Sequence, residues 1–189
     1  MPVVPLLILG VGAVALWVLL ARADQAAAYL EDSAVGAALG LDRVDDLGEL
    51  DAEFRSQIER VYARLRARGY TPLAWETYRT PARQAWLYAS GRTREGSVLT
   101  NVQAGGAHQD RRAVDTIDGR SHPSRPGYYG WGSWAAEYGD QATDDDHQAD
   151  AGARDFFAAY GEEIEAEGLE WGGRWTGSLG SDDPHAEAA

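Results

Sequence analysis

Two residues near the middle of the chain have the types and the spacing that could begin a metal site. His108 and Asp115 stand seven positions apart in the stretch GGAHQDRRAVDTID, residues 105–118. An odd separation along one continuous strand would point the two side chains to opposite faces of a sheet. They can converge only if the polar segment 109–112 forms a turn, with His108 before it and Asp115 on the strand after it.

A catalytic zinc site needs a third protein ligand, since three protein groups leave one position for water. The other histidines are His122, His147 and His185. His185 is the best placed, because it lies in SDDPHAE with Asp182 three positions before it. A carboxylate at that spacing could reach a water on the metal and act as the general base of hydrolysis. Asp183 and Glu170 are rivals for that role.

The spacing alone does not distinguish a metal site from an ordinary surface. A histidine seven positions before an aspartate also occurs in common turns, in which His108 would be a loop residue and Asp115 would cap the turn. In the same way, residues 182–184 could form a plain acidic turn. The isolated residues therefore leave both interpretations open.

Composition limits the chemistry that this chain of 189 residues can perform. It contains no cysteine, which excludes disulfides, thiolate zinc ligands and cysteine nucleophiles, so a metal would be held by His, Asp or Glu. The formal net charge of -13 argues against nucleic acid as a partner, because phosphate binding requires a basic face. The acidic run 144–146 lacks the spacing of a calcium loop and indicates a solvated face.

Periodicity predicts the elements that would position these residues. Apolar residues at three- and four-residue steps from Leu47 to Leu65 predict a helix that ends at Gly69. Thr80 and Pro81 are typical of the start of a second helix. The remaining expectations are a strand at 70–78, a Gly-rich loop at 92–107, a strand at 113–117, an irregular segment at 118–150 and a third helix at 153–168. This mixture predicts an α+β fold, a short antiparallel sheet flanked by helices.

The N-terminal residues are predicted to lie outside the folded domain. No charged residue occurs from Val3 to Ala21, a length close to the ~20 residues that cross a bilayer as a helix. No basic residue precedes this segment, which favours an uncleaved transmembrane anchor. Cleavage after ARA at 21–23 and later release from the membrane are the alternatives. We expect an anchor at 1–23, a tether at 24–46 and the domain at 47–189.

Four stretches, in this order, resemble a family of zinc peptidases that cut peptidoglycan stem peptides. They are ETYRTPARQAWLYASGRT at 76–93, HQDRRAVD at 108–115, GLEWGGRW at 168–175 and DDPH at 182–185. The family includes the D-alanyl-D-alanine carboxypeptidases and the L-alanyl-D-glutamate endopeptidases of phage lysis. The Trp-Gly-Gly-x-Trp segment and its short spacing to Asp-x-Pro-His resemble the endopeptidase branch most.

The resemblance implies a zinc ion held by His108, Asp115 and His185, with Asp182 as the general base. The implied activity is hydrolysis of a peptidoglycan stem peptide by a domain that faces the cell wall or belongs to a virion. One alternative is a carboxypeptidase that removes terminal D-alanine. Another is a membrane-tethered cell-wall-binding or virion structural protein without catalysis.

The resemblance also implies residues that contact the substrate. Arg79 would face the scissile carbonyl oxygen, where a fixed guanidinium stabilises developing negative charge. Tyr78 and Gln84 would line the substrate site. Arg79 could instead pair with Glu76 or with a helix end, and Gln84 could be structural.

Three positions depart from the family's pattern. Gly106 replaces a serine two positions before the first ligand, and Ala186 replaces an aromatic residue after the last one. Arg111 replaces a glycine that would favour a positive φ in the turn between the two ligands. An arginine there implies a different turn or a shifted register, and leaves a site without catalysis as an alternative.

Overall fold

The computed structural model describes residues 34–129 and 131–189. The membrane anchor predicted at 1–23 lies outside these residues, and so does the first part of the predicted tether. Among the described residues, no helix is long and apolar enough to cross a bilayer.

The described chain forms five α-helices and six short strands. In chain order they are α1 (Ala34–Leu39), α2 (Ala52–Ala67), β1 (Pro72–Glu76), α3 (Pro81–Ala89), β2 (Ala113–Asp118), β3 (Ser121–His122), β4 (Arg125–Tyr129), α4 (Trp134–Tyr138), α5 (Asp144–Ala166), β5 (Glu170–Trp171) and β6 (His185–Glu187). Short 3₁₀ helices occur at Leu47–Glu49, Gly139–Gln141 and Gly172–Arg174.

These elements belong to two compact units. The described part of the first unit is 34–42 and 80–103, which contains α1 and α3. The second unit is 43–79 with 104–129 and 131–189, and it contains all six strands. The domain boundaries at 23 and 46 stay predictions.

The second unit is built on a four-stranded sheet in the order β1-β2-β6-β5, and each neighbouring pair is antiparallel. Helices α2 and α5 supply most of the core, and Ala74, Val114 and Ala186 contribute to it from one face of the sheet. The apolar residues that recur at three- and four-residue steps form the buried face of α2; they are Phe54, Ile58, Val61 and Leu65. The predicted α+β class with a short antiparallel sheet and helices is confirmed.

Local hydrogen bonds set where the two long helices begin. Asp51 caps α2 by accepting from the backbone N–H groups of Glu53 and Phe54, so Leu47–Glu49 forms a separate 3₁₀ helix. Helix α5 begins at Asp144, earlier than the predicted 153, because Thr143 and Asp146 form a capping box. The segment 118–150, predicted to be irregular, also contains the β3–β4 hairpin and α4.

The acidic run 144–146 is the first turn of α5, where negative charge suits the helix dipole. The predicted solvated face is wrong for Asp146, which is fully buried. Its carboxylate accepts from the hydroxyl and the backbone N–H of Thr143 and lies 3.1 Å from Nε2 of the buried His122. The run therefore fixes a helix start.

A chain of three buried hydroxyl groups joins β2 to both long helices. The Thr116 hydroxyl donates to the Tyr160 hydroxyl over 3.1 Å, so the Tyr62 hydroxyl donates to Thr116 over 2.7 Å. Burial raises the pKa of both tyrosines, so neither ionises in the physiological range. These hydrogen bonds therefore hold β2 in place at Thr116, the residue next to Asp115.

Replacing Tyr62 with Phe should lower the free energy of unfolding by about 1 kcal/mol, because one buried hydrogen bond is lost while the ring still fills its place. Urea unfolding of the metal-free protein measures this change. The partly buried Tyr70, replaced with Phe, is the matched control and should leave the free energy nearly unchanged. Equal losses in the two variants would contradict a specific contribution from the buried hydroxyl chain.

Candidate metal centre

Three potential metal ligands converge in the second unit. One donor atom from each of His108, Asp115 and His185 lies within 4.8 Å of the other two. Asp115 Oδ1 is 3.3 Å from His108 Nε2 and 3.0 Å from His185 Nδ1. No other set of three His, Asp or Glu residues in 34–129 and 131–189 meets in this way. The structure therefore brings together the three residues predicted as zinc ligands.

The other two histidines lie apart from this set. His122 bonds to Asp146 through Nε2, and its Nδ1 accepts from the backbone N–H of Ser124. His147 is exposed on α5. The choice of His185 as the third candidate therefore agrees with the placement of all four histidines.

The turn predicted between His108 and Asp115 is present. The N–H groups of Gln109 and Asp110 donate to the Gly106 carbonyl over 2.8 and 3.1 Å, and residues 107–111 form the turn. Arg111 ends it with a φ of 62°, the left-handed conformation that a glycine adopts easily. The turn therefore forms although arginine replaces the family's glycine at position 111. The arginine adopts the glycine-like backbone at a cost of about 1 kcal/mol.

Strand pairing brings Asp115 and His185 together although 70 positions separate them. They are direct partners in the antiparallel pair of β2 and β6, so their side chains share one face of the sheet. Ala186 points to the opposite face, where it is buried in the core and paired with Val114. The alanine that stands at 186 instead of the family's aromatic residue therefore lies in the core, away from the three donors.

A bulge in β1 adds Glu76 and Arg79 to this face. The register shifts between Ala74 and Glu76, which places Glu76 opposite Asp115. Glu76, with its side chain 4% exposed, accepts from Nε and Nη2 of Arg79 over 3.1 and 2.6 Å. Arg79 Nη2 also lies 3.4 Å from Asp115 Oδ2. The pairing of Arg79 with Glu76, left open as an alternative, is present in the structure.

Gly172 permits the close approach of the segment that carries His185. A Cβ at Gly172 would lie 2.5 Å from the Asp182 carbonyl oxygen and 3.0 Å from His185 Cβ. The Gly172 carbonyl also accepts from the N–H of Asp182 over 2.9 Å, and the Asp182 carbonyl accepts from the N–H of His185 over 3.0 Å. These contacts hold the last segment beside β5.

Trp171 supports this arrangement from the core side. Its ring packs against Gly161 of α5 and against Gly173, where an added Cβ would lie 2.4 and 2.2 Å from ring atoms. Its indole N–H donates to the Asp183 carbonyl over 2.8 Å. Trp171 therefore packs against the core and also positions the segment before His185.

Replacing Gly172 with Ala should weaken zinc binding by at least tenfold, because the new methyl group would push the 182–185 segment away from β2. Chelator competition measures the dissociation constant. Gly177, replaced with Ala, is the matched control, since a Cβ there would meet nothing within 4 Å. Unchanged zinc binding in the Gly172 variant would show that the close packing does not position His185.

Contacts within the site shift the pKa values of Asp115 and His185. Burial would raise the pKa of Asp115, but His108 and His185 outweigh it and hold that pKa well below the usual value. Burial opposes protonation of His185, but its hydrogen bonds to Asp115 and Glu187 raise the pKa of His185 to about 10. In the metal-free protein both ring nitrogens of His185 therefore carry a proton at neutral pH, and a metal would displace one of the two protons.

Asp182 has the electrostatics of a proton acceptor. Asp182 is an exposed residue, and its carboxyl group is close enough to interact electrostatically with Asp115, His185 and Arg79. The partial loss of solvation, with the negative charge of Asp115 adding to it, raises the pKa of Asp182. A carboxylate with a raised pKa binds a proton more readily at neutral pH.

Of the two rival bases, Glu170 is exposed and accepts from the indole N–H of Trp175 over 2.6 Å. Asp183 contacts Trp171, whose indole N–H donates to the Asp183 backbone carbonyl.

The residues predicted to contact substrate lie in different units. Tyr78 is partly buried in the second unit, with the Arg111 guanidinium 4.4 Å from its ring centre. Gln84 lies on α3 in the first unit, where it is buried and donates to the Val102 carbonyl. The substrate roles of both residues stay predictions.

The sequence interpretation missed two residues that contact His185. Glu187 Oε2 lies 3.1 Å from His185 Nε2, and the Trp175 ring centre lies 4.9 Å from that of His185. The signal for Glu187 was available, since residues two apart on a strand share a face. No comparable spacing identifies Trp175, which reaches His185 through the fold.

The donor set fits a catalytic zinc ion. Two imidazole nitrogens and one carboxylate oxygen are ligands that zinc accepts, and three protein groups leave a position for water. His108 Nδ1 bonds to the Thr77 carbonyl over 2.7 Å, which leaves Nε2 facing Asp115. Such anchoring of the second ring nitrogen is typical of metal-binding histidines. The buried group of His108, Asp115 and His185 can therefore hold a metal.

Comparison with known proteins does not assign the chain to a family. No family model and no curated protein matches it. Among solved structures it is similar to the L-Ala D-Glu endopeptidase ChiX of Serratia marcescens. The identity is 21%, the TM-score is 0.45, and the match covers 76% of this chain and 83% of that chain. This likeness is too remote to carry an argument about activity, so the function is inferred from the site.

Proposed function

We propose that this protein is a zinc-dependent peptidase that hydrolyses peptidoglycan stem peptides, with the specificity of an L-alanyl-D-glutamate endopeptidase. The observation that carries the proposal is the convergence of His108, Asp115 and His185, which are far apart in sequence. The substrate class comes from the four stretches that resemble the zinc peptidases of peptidoglycan. Their spacing favours the endopeptidase over the carboxypeptidase branch.

The ligand roles divide among residues of the second unit. His108 Nε2, a carboxylate oxygen of Asp115 and His185 Nδ1 would hold the zinc ion. Zinc, when bound, supplies a Lewis acid that polarises a peptide carbonyl and acidifies water. The Asp182 carboxylate accepts the proton of the attacking water and passes it to the leaving amine nitrogen. Its raised pKa supports this role.

Arg79 supplies fixed positive charge next to the three donors. Its guanidinium is 12% exposed and is held by Glu76, so it needs little rearrangement when negative charge develops on the carbonyl oxygen. Arg79 Nη2 also lies 3.4 Å from Asp115 Oδ2, so the guanidinium partly balances the negative charge of Asp115. We assign Arg79 to stabilisation of the oxyanion.

The first experiment is digestion of purified muropeptides by the zinc-loaded protein, followed by mass spectrometry. An L-alanyl-D-glutamate endopeptidase separates L-alanine from D-glutamate and exposes a new D-glutamate amino group. Release of terminal D-alanine would instead identify a carboxypeptidase. No product from any muropeptide, with one zinc bound per chain, would favour a binding protein and contradict the proposed hydrolysis.

Replacing Asp182 with Asn should lower kcat by about 10²–10⁴-fold, because an amide cannot accept the proton. Zinc content should stay at one per chain, since Asp182 is not a proposed ligand. Asp183, replaced with Asn, is the matched control and should keep most of the activity. Equal losses in the two variants, or full activity in the Asp182 variant, would contradict the assigned base.

We also propose that the apolar segment 3–21 anchors the enzyme in a membrane next to the cell wall. A full-length chain that stays in the aqueous phase after detergent phase separation, with its N-terminus intact by mass spectrometry, would contradict the anchor.

A further inference from the structure

The second ring nitrogen of His185 has a carboxylate partner. Glu187 Oε2 lies 3.1 Å from His185 Nε2, while His185 Nδ1 lies 3.0 Å from Asp115 Oδ1. The two imidazole nitrogens point in different directions, so Glu187 and Asp115 bind opposite sides of one ring. Glu187 therefore stands behind the ring, away from the three converging donors.

The geometry of β6 explains why Glu187 is placed there. His185 and Glu187 are two positions apart on this strand, so their side chains point to the same face of the sheet. The neighbouring strands fix both residues, because Asp115 pairs with His185 and Ala113 pairs with Glu187. The hydrogen bond thus follows from the sheet register.

Other contacts restrain the ring but do not select a nitrogen. The Trp175 ring packs at a tilt of 43° against His185, and the ring centre of His108 lies 5.1 Å away. Such packing fixes the plane of the imidazole. Only a hydrogen-bond acceptor can decide which nitrogen keeps its proton.

We propose that Glu187 is a positioning residue, which holds the proton of His185 on Nε2 and so presents Nδ1 as the metal ligand. In the neutral ring one nitrogen donates and the other accepts. The carboxylate of Glu187 can only accept, so it selects the Nε2–H form. Carboxylate partners of this kind orient the ring and raise ligand basicity.

The two histidines of the site then use opposite nitrogens. Nδ1 of His108 donates to the Thr77 carbonyl and leaves Nε2 for the metal, whereas Nε2 of His185 donates to Glu187 and leaves Nδ1. The inference rests on the proposed zinc site but not on cleavage. Zinc affinity and ring protonation can test it even if no peptide is hydrolysed.

The experiment compares zinc dissociation constants for the full chain and three variants by chelator competition. Glu187→Ala removes the acceptor, and Glu187→Gln keeps an acceptor oxygen without the charge. Glu162→Ala is the control, because it removes one negative charge from an exposed ion pair with Arg68. We expect the Ala variant to bind zinc about 10–100-fold more weakly. The Gln variant should recover most of that loss, and the control should match wild type.

Nitrogen-15 NMR of the zinc-loaded wild-type protein gives a readout that does not depend on a variant that folds. The resonances of His185 should show a proton on Nε2 and a metal on Nδ1. Metal on Nε2 would overturn the proposal. So would a Glu187→Ala protein that is folded by circular dichroism and binds zinc like wild type, or a Gln variant as weak as the Ala variant.

Absence of zinc binding by the wild-type protein would overturn this proposal together with the proposed enzyme. Normal zinc binding with the expected NMR pattern but no cleavage would overturn the enzyme alone.

Discussion

A carboxylate that has lost most of its contact with solvent needs compensating partners, and the site of this protein is organised around that need. Asp115, with its side chain 15% exposed, lies between two imidazole rings and within reach of a guanidinium. An isolated carboxylate in such a place would be strongly unfavourable. A different structural feature positions each partner. A turn positions His108, strand pairing positions His185, and a bulge positions the Glu76–Arg79 pair.

The same strand also connects the site to the core. Asp115 faces the proposed metal, while the adjacent Thr116 joins the buried hydroxyl chain of Tyr62 and Tyr160 on the other face. Different environments then shift the pKa values of Asp115 and Asp182 in opposite directions. Asp115 stays ionised beside cationic partners, whereas Asp182 has a raised pKa. Acids with divergent pKa values suit different tasks, here metal binding and proton transfer.

Local rules predicted much of this arrangement. The 3.6-residue period located α2, cap signals located α3, and a polar segment predicted the turn after His108. The burial of Asp146 escaped prediction, because it depends on the tertiary contact with His122. The start of α5 was missed although its signal is local, since the capping box of Thr143 and Asp146 has an aspartate where glutamate or glutamine is usual. The position of Glu76 opposite Asp115 depends on a bulge, and the contact of Trp175 with His185 depends on packing. Residue spacing encodes neither. Arg111 has a left-handed backbone conformation, which shows that this turn can form without the glycine that the resemblance leads one to expect there.

Binding of one zinc ion by His108, Asp115 and His185 is tested most directly by diffraction from zinc-loaded crystals on both sides of the zinc absorption edge. We predict one strong anomalous peak about 2.0–2.2 Å from His108 Nε2, His185 Nδ1 and a carboxylate oxygen of Asp115. Absence of a peak among these three residues, or a zinc ion held elsewhere on the chain, would contradict the metal centre and the peptidase inferred from it.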